Sequence, residues 1–104
     1  MIRVAVMYKN VADSTFDMTY YRERHMPFVR DRYAPHGLVR LEMDEAVSKS
    51  GKQAAPYIAI AYMTFESLDQ FIAAFKAAGS EVMADIKNFT ATEPTIQISK
   101  ATEI

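Results

Sequence analysis

Two segments of this 104-residue chain read as β-strands that are apolar on both faces, which constrains the fold more than any other feature. In the segment 57–65, YIAIAYMTF, every residue except Thr64 is aromatic, aliphatic or methionine. Because successive strand side chains point to opposite faces, both sides of this strand are apolar. The segment 2–8, IRVAVMY, sets Ile2, Val4, Val6 and Tyr8 against Ala5 and Met7. A sheet built from these strands needs cover on both faces.

Four strands and two helices account for the chain. The strands are predicted at 2–8, 38–47, 57–65 and 95–100, with helical patterns between the first two and between the last two. The order strand, helix, strand, strand, helix, strand is typical of the ferredoxin-like split βαβ arrangement. We therefore predict one α+β domain, residues 1–104, with both helices on one face of an antiparallel sheet.

Capping residues and prolines place the ends of the first helix. Ser14 or Thr15 is the predicted N-cap, with Asp17 in the positive first turn. Pro27 cannot donate a backbone hydrogen bond, so the helix is expected to kink or restart near His25. Gly37 is predicted to end the helical stretch.

The second helix is expected to begin at Ser67, which forms an S-x-x-Q capping box with Gln70. Its apolar face is predicted to carry Leu68, Phe71, Ile72 and Phe75. Gly79 is expected to break this helix, and Ser80 to cap a further helical segment. The polar residues 48–53, between the second and third strands, read as a mobile loop.

A second copy of the chain is the simplest cover for the sheet face that the helices leave open. Without it, the apolar patch would exceed what a monomer usually exposes. Two alternatives stay open, a monomer with an unusually apolar sheet and a cleft filled by a lipid-like ligand. We expect a homodimer.

Composition excludes several classes of function. The 12 basic and 13 acidic residues nearly balance, giving no electrostatic reason to expect nucleic acid or a membrane surface as partner. The longest apolar run, 57–63, is far shorter than a membrane span. The absence of cysteine excludes disulfides and thiolate sites and fits a cytoplasmic location. We find no metal-ligand, phosphate-loop or nucleotide motif, so no metal, flavin or nicotinamide cofactor is expected.

His25 is the leading candidate for chemistry because it follows Tyr21 by four residues at the proline break. A histidine at neutral pH can act as base, acid or donor. The alternative is a helix-face histidine bonded to a backbone carbonyl that Pro27 frees. Asp85 is either solvent-facing or a buried partner for a cation or a histidine. His36 is expected to be exposed.

Six tyrosines and six phenylalanines could line a pocket for a small apolar or aromatic molecule, although most would serve equally well in an ordinary core. Tyr8, Tyr57 and Tyr62 are the leading candidates for contact with a ligand. A buried strand tyrosine needs a partner for its hydroxyl.

Two segments resemble the EthD family. Residues 16–27, FDMTYYRERHMP, match that family's helix with paired tyrosines and a His-x-Pro sequence. Residues 84–90, ADIKNFT, match its closing A-D-I-x-N-aromatic-T segment, and IQIS at 96–99 matches its last strand. The resemblance implies a dimeric α/β barrel, the fold also used by small lactone isomerases and cofactor-free monooxygenases. Phe28 stands where the family commonly has leucine and could reshape a pocket mouth.

Two hypotheses for function follow from the residues and the resemblance together. The first is a cofactor-free catabolic enzyme of oxidoreductase, isomerase or decarboxylase type, with His25 as acid/base and Tyr21 or Asp85 orienting it. The second is a non-catalytic protein that binds a ligand for a degradation pathway. A histidine with an orienting partner and an open side toward a cavity would favour the enzyme.

Overall fold

The computed structural model describes residues 1–47 and 55–104. The loop predicted at 48–53 lies outside the described residues. Within the described part, the four strands are β1, Ile2–Lys9; β2, Leu38–Glu45; β3, Tyr57–Phe65; and β4, Thr95–Lys100. The predicted bounds of β3 and β4 are confirmed, β1 is one residue longer, and β2 ends two residues before Val47.

The strands form one antiparallel sheet in the order β2-β3-β1-β4. Two helical segments join them, and both pack on the same face. The predicted α+β arrangement is therefore confirmed. No helix in the described ranges is both long enough and apolar enough to cross a membrane.

The first helical segment changes its geometry three times. It begins with α1, Met18–Tyr20, continues as a π-helical turn, Tyr21–His25, and resumes as α2, Met26–Tyr33. A 3₁₀ turn, Ala34–His36, then leads to Gly37, whose φ of 100° lies in the left-handed region that glycine adopts readily. The predicted stop at Gly37 is confirmed.

The N-cap of this segment is Asp17, so the prediction of Ser14 or Thr15 is wrong. The Asp17 side chain accepts a hydrogen bond from the backbone N–H of Tyr20, 3.0 Å away. Ser14 instead pairs its hydroxyl with that of Thr92, at 2.7 Å. The backbone N–H of Asp17 donates to the Phe89 carbonyl oxygen at 2.8 Å, which holds the helix start against the end of the second helical segment.

The break expected near His25 is confirmed as the π-helical turn. Pro27 has no N–H to donate to the carbonyl of Glu23, so the regular hydrogen-bond ladder is interrupted there. The backbone N–H of Met26 bonds to the Tyr21 carbonyl, five residues earlier. A π-turn widens the helix locally and is frequent at functional sites. Here it leaves Tyr21 and His25 buried on the same side.

The second helical segment is α3, Leu68–Ala84, followed by a 3₁₀ turn, Ile86–Asn88. Ser67 caps α3 by accepting from the backbone N–H of Gln70 at 3.2 Å, as predicted. Gly79 does not break the helix, and Ser80 caps nothing. A Cβ at Gly79 would lie 2.6 Å from the Phe75 ring, so the glycine makes room for that ring inside a continuous helix.

The predicted apolar face of α3 is displaced by about one helical position. Phe71 is buried, but Leu68, Ile72 and Phe75 are each more than 40% exposed. The other residues that α3 contributes to the core cluster are smaller, Ala74, Ala78 and Val82. The backbone of α3 lies closer to the first helical segment than to the sheet, and small residues let those two backbones approach one another.

The core lies between the sheet and the helical segments, in two neighbouring clusters. One is centred on Val4, Met63 and Phe65. The other lies at the far end of the sheet and contains Tyr8, Tyr21 and Phe89. This second cluster borders His25 and therefore positions the candidate site.

Candidate functional site

A histidine and an aspartate from different helical segments meet at the edge of the second core cluster. The Nδ1 atom of His25 lies 2.9 Å from Oδ2 of Asp85, sixty residues further along the chain. His25 is 4% exposed, and the Asp85 side chain is 16% exposed. The structure therefore supports the second reading of Asp85, as the partner of a buried histidine.

Asp85 is held by the turn that ends α3. It is the C-cap of that helix, and its other carboxylate oxygen, Oδ1, accepts two further hydrogen bonds. The Tyr20 hydroxyl donates to Oδ1 at 2.8 Å, and so does Nδ2 of Asn88. Sequence reasoning missed both donors. The paired tyrosines and the Asn in the A-D-I-x-N segment were the signals that could have found them.

At neutral pH the lowered pKa values leave the His25 imidazole neutral and the Asp85 carboxyl ionised. Burial lowers the pKa of the His25 imidazole below its ordinary value, although the bond to Asp85 opposes this. Burial acts to raise the pKa of the Asp85 carboxyl, but the three donors around it hold that pKa below its ordinary value. A neutral histidine beside a carboxylate must donate through Nδ1, because the ionised carboxylate can only accept. The Nε2 atom is then the basic nitrogen.

Aromatic rings fix the orientation of the imidazole. The ring of Phe89 lies 4.6 Å from that of His25, and the ring of Tyr21 stacks on the imidazole at 5.8 Å and 18°. Tyr8 packs edge-on against Tyr21 at 5.8 Å. With Nδ1 held by the carboxylate and one ring face covered by Tyr21, the imidazole has little freedom to turn.

An apolar cavity of about 40 Å³ lies between the sheet and the helical segments, and His25 forms part of its wall. Tyr8, Tyr21 and Tyr33 also line it, together with aliphatic side chains and three methionines. None of the described residues that line it is Lys, Arg, Asp or Glu. The cavity therefore suits an uncharged, largely apolar guest.

Tyr21 carries the one buried side-chain polar atom without a hydrogen-bond partner in the part of the chain that the structure describes. The residue is fully buried, and leaving such a hydroxyl unbonded costs about 1–3 kcal/mol. Burial raises the pKa of its phenol above the ordinary value, with a smaller contribution from the charge of Asp44. The hydroxyl thus keeps its proton and remains a potential donor.

The cavity rim lies between α3 and the edge strand β4. Phe75 and Ile96 line the cavity and are each just over 40% exposed, and Met83 is half-buried. A single water needs about 10–15 Å³ of such space, so the cavity as it stands holds only a few waters. A larger guest requires these rim side chains to turn aside, which the long, unbranched side chain of Met83 allows readily.

The structure brings together some predicted site residues and separates others. His25, Tyr21, Asp85 and Tyr8 lie together at the cavity or beside it. Phe28 packs at the margin of the first core cluster, under the guanidinium of Arg32. Tyr57 borders a shallow surface depression formed with the end of β2.

Tyr62 lies on the opposite face of the sheet, because it pairs with Ala5 of β1 while its neighbours along β3, Ala61 and Met63, face the core. His36 is exposed, as expected. Over residues 1–47 and 55–104, no three His, Asp or Glu side chains converge in a way that could hold a metal ion.

The chain belongs to the EthD family, because the family model described as "EthD domain" matches residues 10–93. The fold is correspondingly that of ferredoxin-like, dimeric α/β barrel proteins. A comparison with curated proteins gave no match.

Several solved structures are similar to this chain. An EthD-like protein from Ralstonia eutropha JMP134 is 33% identical with a TM-score of 0.85, over 95% of this chain and 89% of that one. An ethyl tert-butyl ether degradation (EthD) family protein from Bacillus halodurans C-125 is 17% identical with a TM-score of 0.68, over 98% and 99%. SnoaB from Streptomyces nogalater, a cofactor-independent oxygenase, is 17% identical with a TM-score of 0.57, over 99% and 93%.

Proposed function

We propose that this protein is an enzyme of small-molecule metabolism that needs no cofactor and uses His25 as its acid–base residue. The observation that carries the proposal is the His25–Asp85 pair at 2.9 Å beside an apolar cavity. The reaction type, whether oxygenation, isomerisation or decarboxylation, depends on the substrate. The cofactor-independent oxygenase among the solved structures shares the fold, which is consistent with a reaction that needs no cofactor.

The geometry favours catalysis over simple ligand binding. A histidine that only stabilised the fold would be expected to bond both nitrogens to the backbone near Pro27. Instead, Nδ1 bonds a carboxylate that two further donors, Tyr20 and Asn88, hold in place. This arrangement keeps Nε2 basic and stabilises the imidazolium that forms when Nε2 accepts a proton. A passive binding pocket has no need of such a pair.

The assembly proposed for this enzyme is a homodimer. On the sheet face away from the helices, the middle of the sheet carries Ala5, Met7, Ile60 and Tyr62, all half-buried in the single chain. The neighbouring edge positions on that face are polar, Glu42 and Asp44 on β2 and residues 95 and 97 on β4. An apolar centre within a polar rim is the usual anatomy of a protein interface.

A cytoplasmic location and the absence of a cofactor stay predictions.

Turnover of a defined compound panel by paired variants would test the enzymatic proposal. Purified protein, dialysed against chelator, is incubated in air with uncharged cyclic and aromatic ethers, ketones, lactones and phenols, and products are followed by mass spectrometry. For any compound converted, His25→Gln should lower the rate roughly 100- to 10,000-fold, the usual contribution of a general acid–base residue. Melting temperature is measured in parallel for both proteins.

The matched control is His36→Gln, which removes the exposed histidine of the two that the chain contains. That variant should convert substrate at the wild-type rate. If the panel compounds bind but none is converted, or if His25→Gln keeps full activity, the enzymatic proposal is wrong. The ligand-binding alternative would then be preferred.

A further inference from the structure

The Tyr21 hydroxyl and the His25 imidazole form a complementary polar pair in the wall of an otherwise apolar cavity. Their rings stack at 5.8 Å, nearly parallel, and both residues line the same cavity. The hydroxyl is buried and has no partner among the described residues, and it can donate a hydrogen bond. The Nε2 atom of the neutral imidazole can accept a proton.

Charge around this pair selects against anionic guests. Asp85 is hydrogen-bonded to the imidazole of His25. The negative charge of Asp44 contributes to the raised pKa of the Tyr21 phenol. No lysine or arginine is among the described residues that line the cavity. A carboxylate or phosphate would enter without a countercharge and lose its hydration, which is strongly unfavourable.

We propose, building on the proposed function, that the site removes a proton next to the carbonyl group of an uncharged ketone or lactone. The Nε2 atom of His25 takes the proton from the α-carbon. The electrons of that C–H bond form the new C=C bond, and the carbonyl π electrons move to oxygen. The Tyr21 hydroxyl donates to that oxygen. Return of the proton to the same or another carbon completes an exchange or an isomerisation, with no oxidant or reductant.

Two features of the site make this step favourable. Asp85 stabilises the imidazolium that carries the abstracted proton, as the carboxylate does in other histidine-dependent enzymes. The fully buried Tyr21 hydroxyl is a donor already in place where negative charge develops on the oxygen, in a surrounding of low polarity. Once the ligand oxygen is bound, the hydroxyl also gains the partner that it lacks.

Exchange of α-protons in heavy water tests the step directly. Cyclohexanone and 2-indanone are incubated with the protein, and loss of the α-proton signal is followed by NMR. Wild type should exchange at least one of them faster than buffer. His25→Gln should abolish the acceleration, and Tyr21→Phe should lower it roughly 100- to 1,000-fold, the usual effect of losing one oxyanion donor. His36→Gln should exchange like wild type.

Binding measurements separate the role of Tyr21 from a merely structural one. Indane is 2-indanone without its oxygen. Tyr21→Phe should weaken the binding of 2-indanone roughly threefold to tenfold, which corresponds to the loss of one hydrogen bond. The same variant should bind indane as tightly as wild type does. Cyclohexanecarboxylate, an anion of similar size to cyclohexanone, should neither bind nor inhibit.

The outcomes distinguish this inference from the broader proposal. Exchange that needs His25 but is unaffected in Tyr21→Phe would overturn the donor role of Tyr21. Binding of the ketones without exchange, in a protein that converts other panel compounds through His25, would overturn the carbonyl chemistry and leave the enzymatic proposal standing. Failure of both ketones to bind, or tight binding of cyclohexanecarboxylate, would overturn the substrate class.

Discussion

At the scale of single residues, His25 should make the stability of the folded chain depend on pH. Its pKa is lowered in the folded state by burial, so below about pH 6.5 the unfolded chain binds a proton that the folded chain does not. The free energy of unfolding therefore rises with pH through this window and falls on acidification. The pKa of Asp85, also lowered in the folded state, gives a loss of the same sign at lower pH.

Denaturant unfolding from pH 7.5 down to pH 5 would measure this effect. Wild type should lose stability with a slope of up to about 1.4 kcal/mol per pH unit while only the unfolded state is protonated at His25. His25→Gln should lose this part of the slope, and His36→Gln should keep it. A slope that is the same in His25→Gln and wild type would mean that folding does not lower the pKa of the imidazole, contrary to the effect expected from its burial.

The candidate site could be predicted only in part from the sequence. His25 and Tyr21 share one helix, and Pro27 marked the place where that helix departs from regular geometry. The partner of His25 lies sixty residues away, and the sequence left Asp85 as either solvent-facing or a buried partner, because no local pattern links residues so far apart. Residue type alone could not tell which strand tyrosines face the cavity. Tyr8 does, and Tyr62 lies on the other face of the sheet.

At the scale of elements, α3 shows how one glycine shapes the cavity rim. Gly79 lies in mid-helix, where glycine costs about 1 kcal/mol relative to alanine. The glycine makes room for the Phe75 ring, which would be in steric conflict with a Cβ at this position. Gly79→Ala must turn that ring away from the helix. We expect the gain in helix propensity to offset the lost packing, so the free energy of unfolding should change by less than about 1 kcal/mol.

The displaced ring should open the cavity. In a His36→Gln background, where His25 is the remaining histidine, acylation by diethyl pyrocarbonate reports access to the imidazole. Gly79→Ala should speed that reaction severalfold. The matched control is Ala77→Gly, at an exposed position of the same helix, which should lose about 1 kcal/mol of stability with unchanged reactivity. If Gly79→Ala leaves the acylation rate unchanged, Phe75 does not control access.

The elements differ in how far local pattern determines them. The strands were predicted within two residues because alternation and turn residues both mark their ends. The helix break predicted at Gly79 is wrong, because the sequence does not distinguish a glycine that accommodates a neighbouring ring from one that ends a helix. The shifted apolar face of α3 depends on its neighbours in space, since close packing against the first helical segment favours Ala74 and Ala78 over larger side chains.

At the scale of the whole molecule, two apolar surfaces compete as the interface of the proposed homodimer. One is the open sheet face, with Met7, Ile60 and Tyr62 near its centre. The other lies on the outside of α3, where Ile72 and Phe75 are each more than 40% exposed. The sheet face is the better candidate because its apolar residues are contiguous across neighbouring strands and polar positions surround them. The α3 residues border the cavity rim and would be needed for access.

Light scattering coupled to size exclusion, at micromolar concentration, would decide between the two surfaces. Wild type should elute at about twice the chain mass of 11.8 kDa. Ile60→Asp buries an unpaired charge in the sheet interface and should give a monomer, since such a charge costs several kcal/mol. Ile72→Asp, a change of the same chemistry on α3, should remain a dimer. The reverse result would move the interface to α3, and a monomeric wild type would refute the dimer itself. Circular dichroism of both variants confirms that the fold is retained, so that loss of the dimer is not mistaken for unfolding.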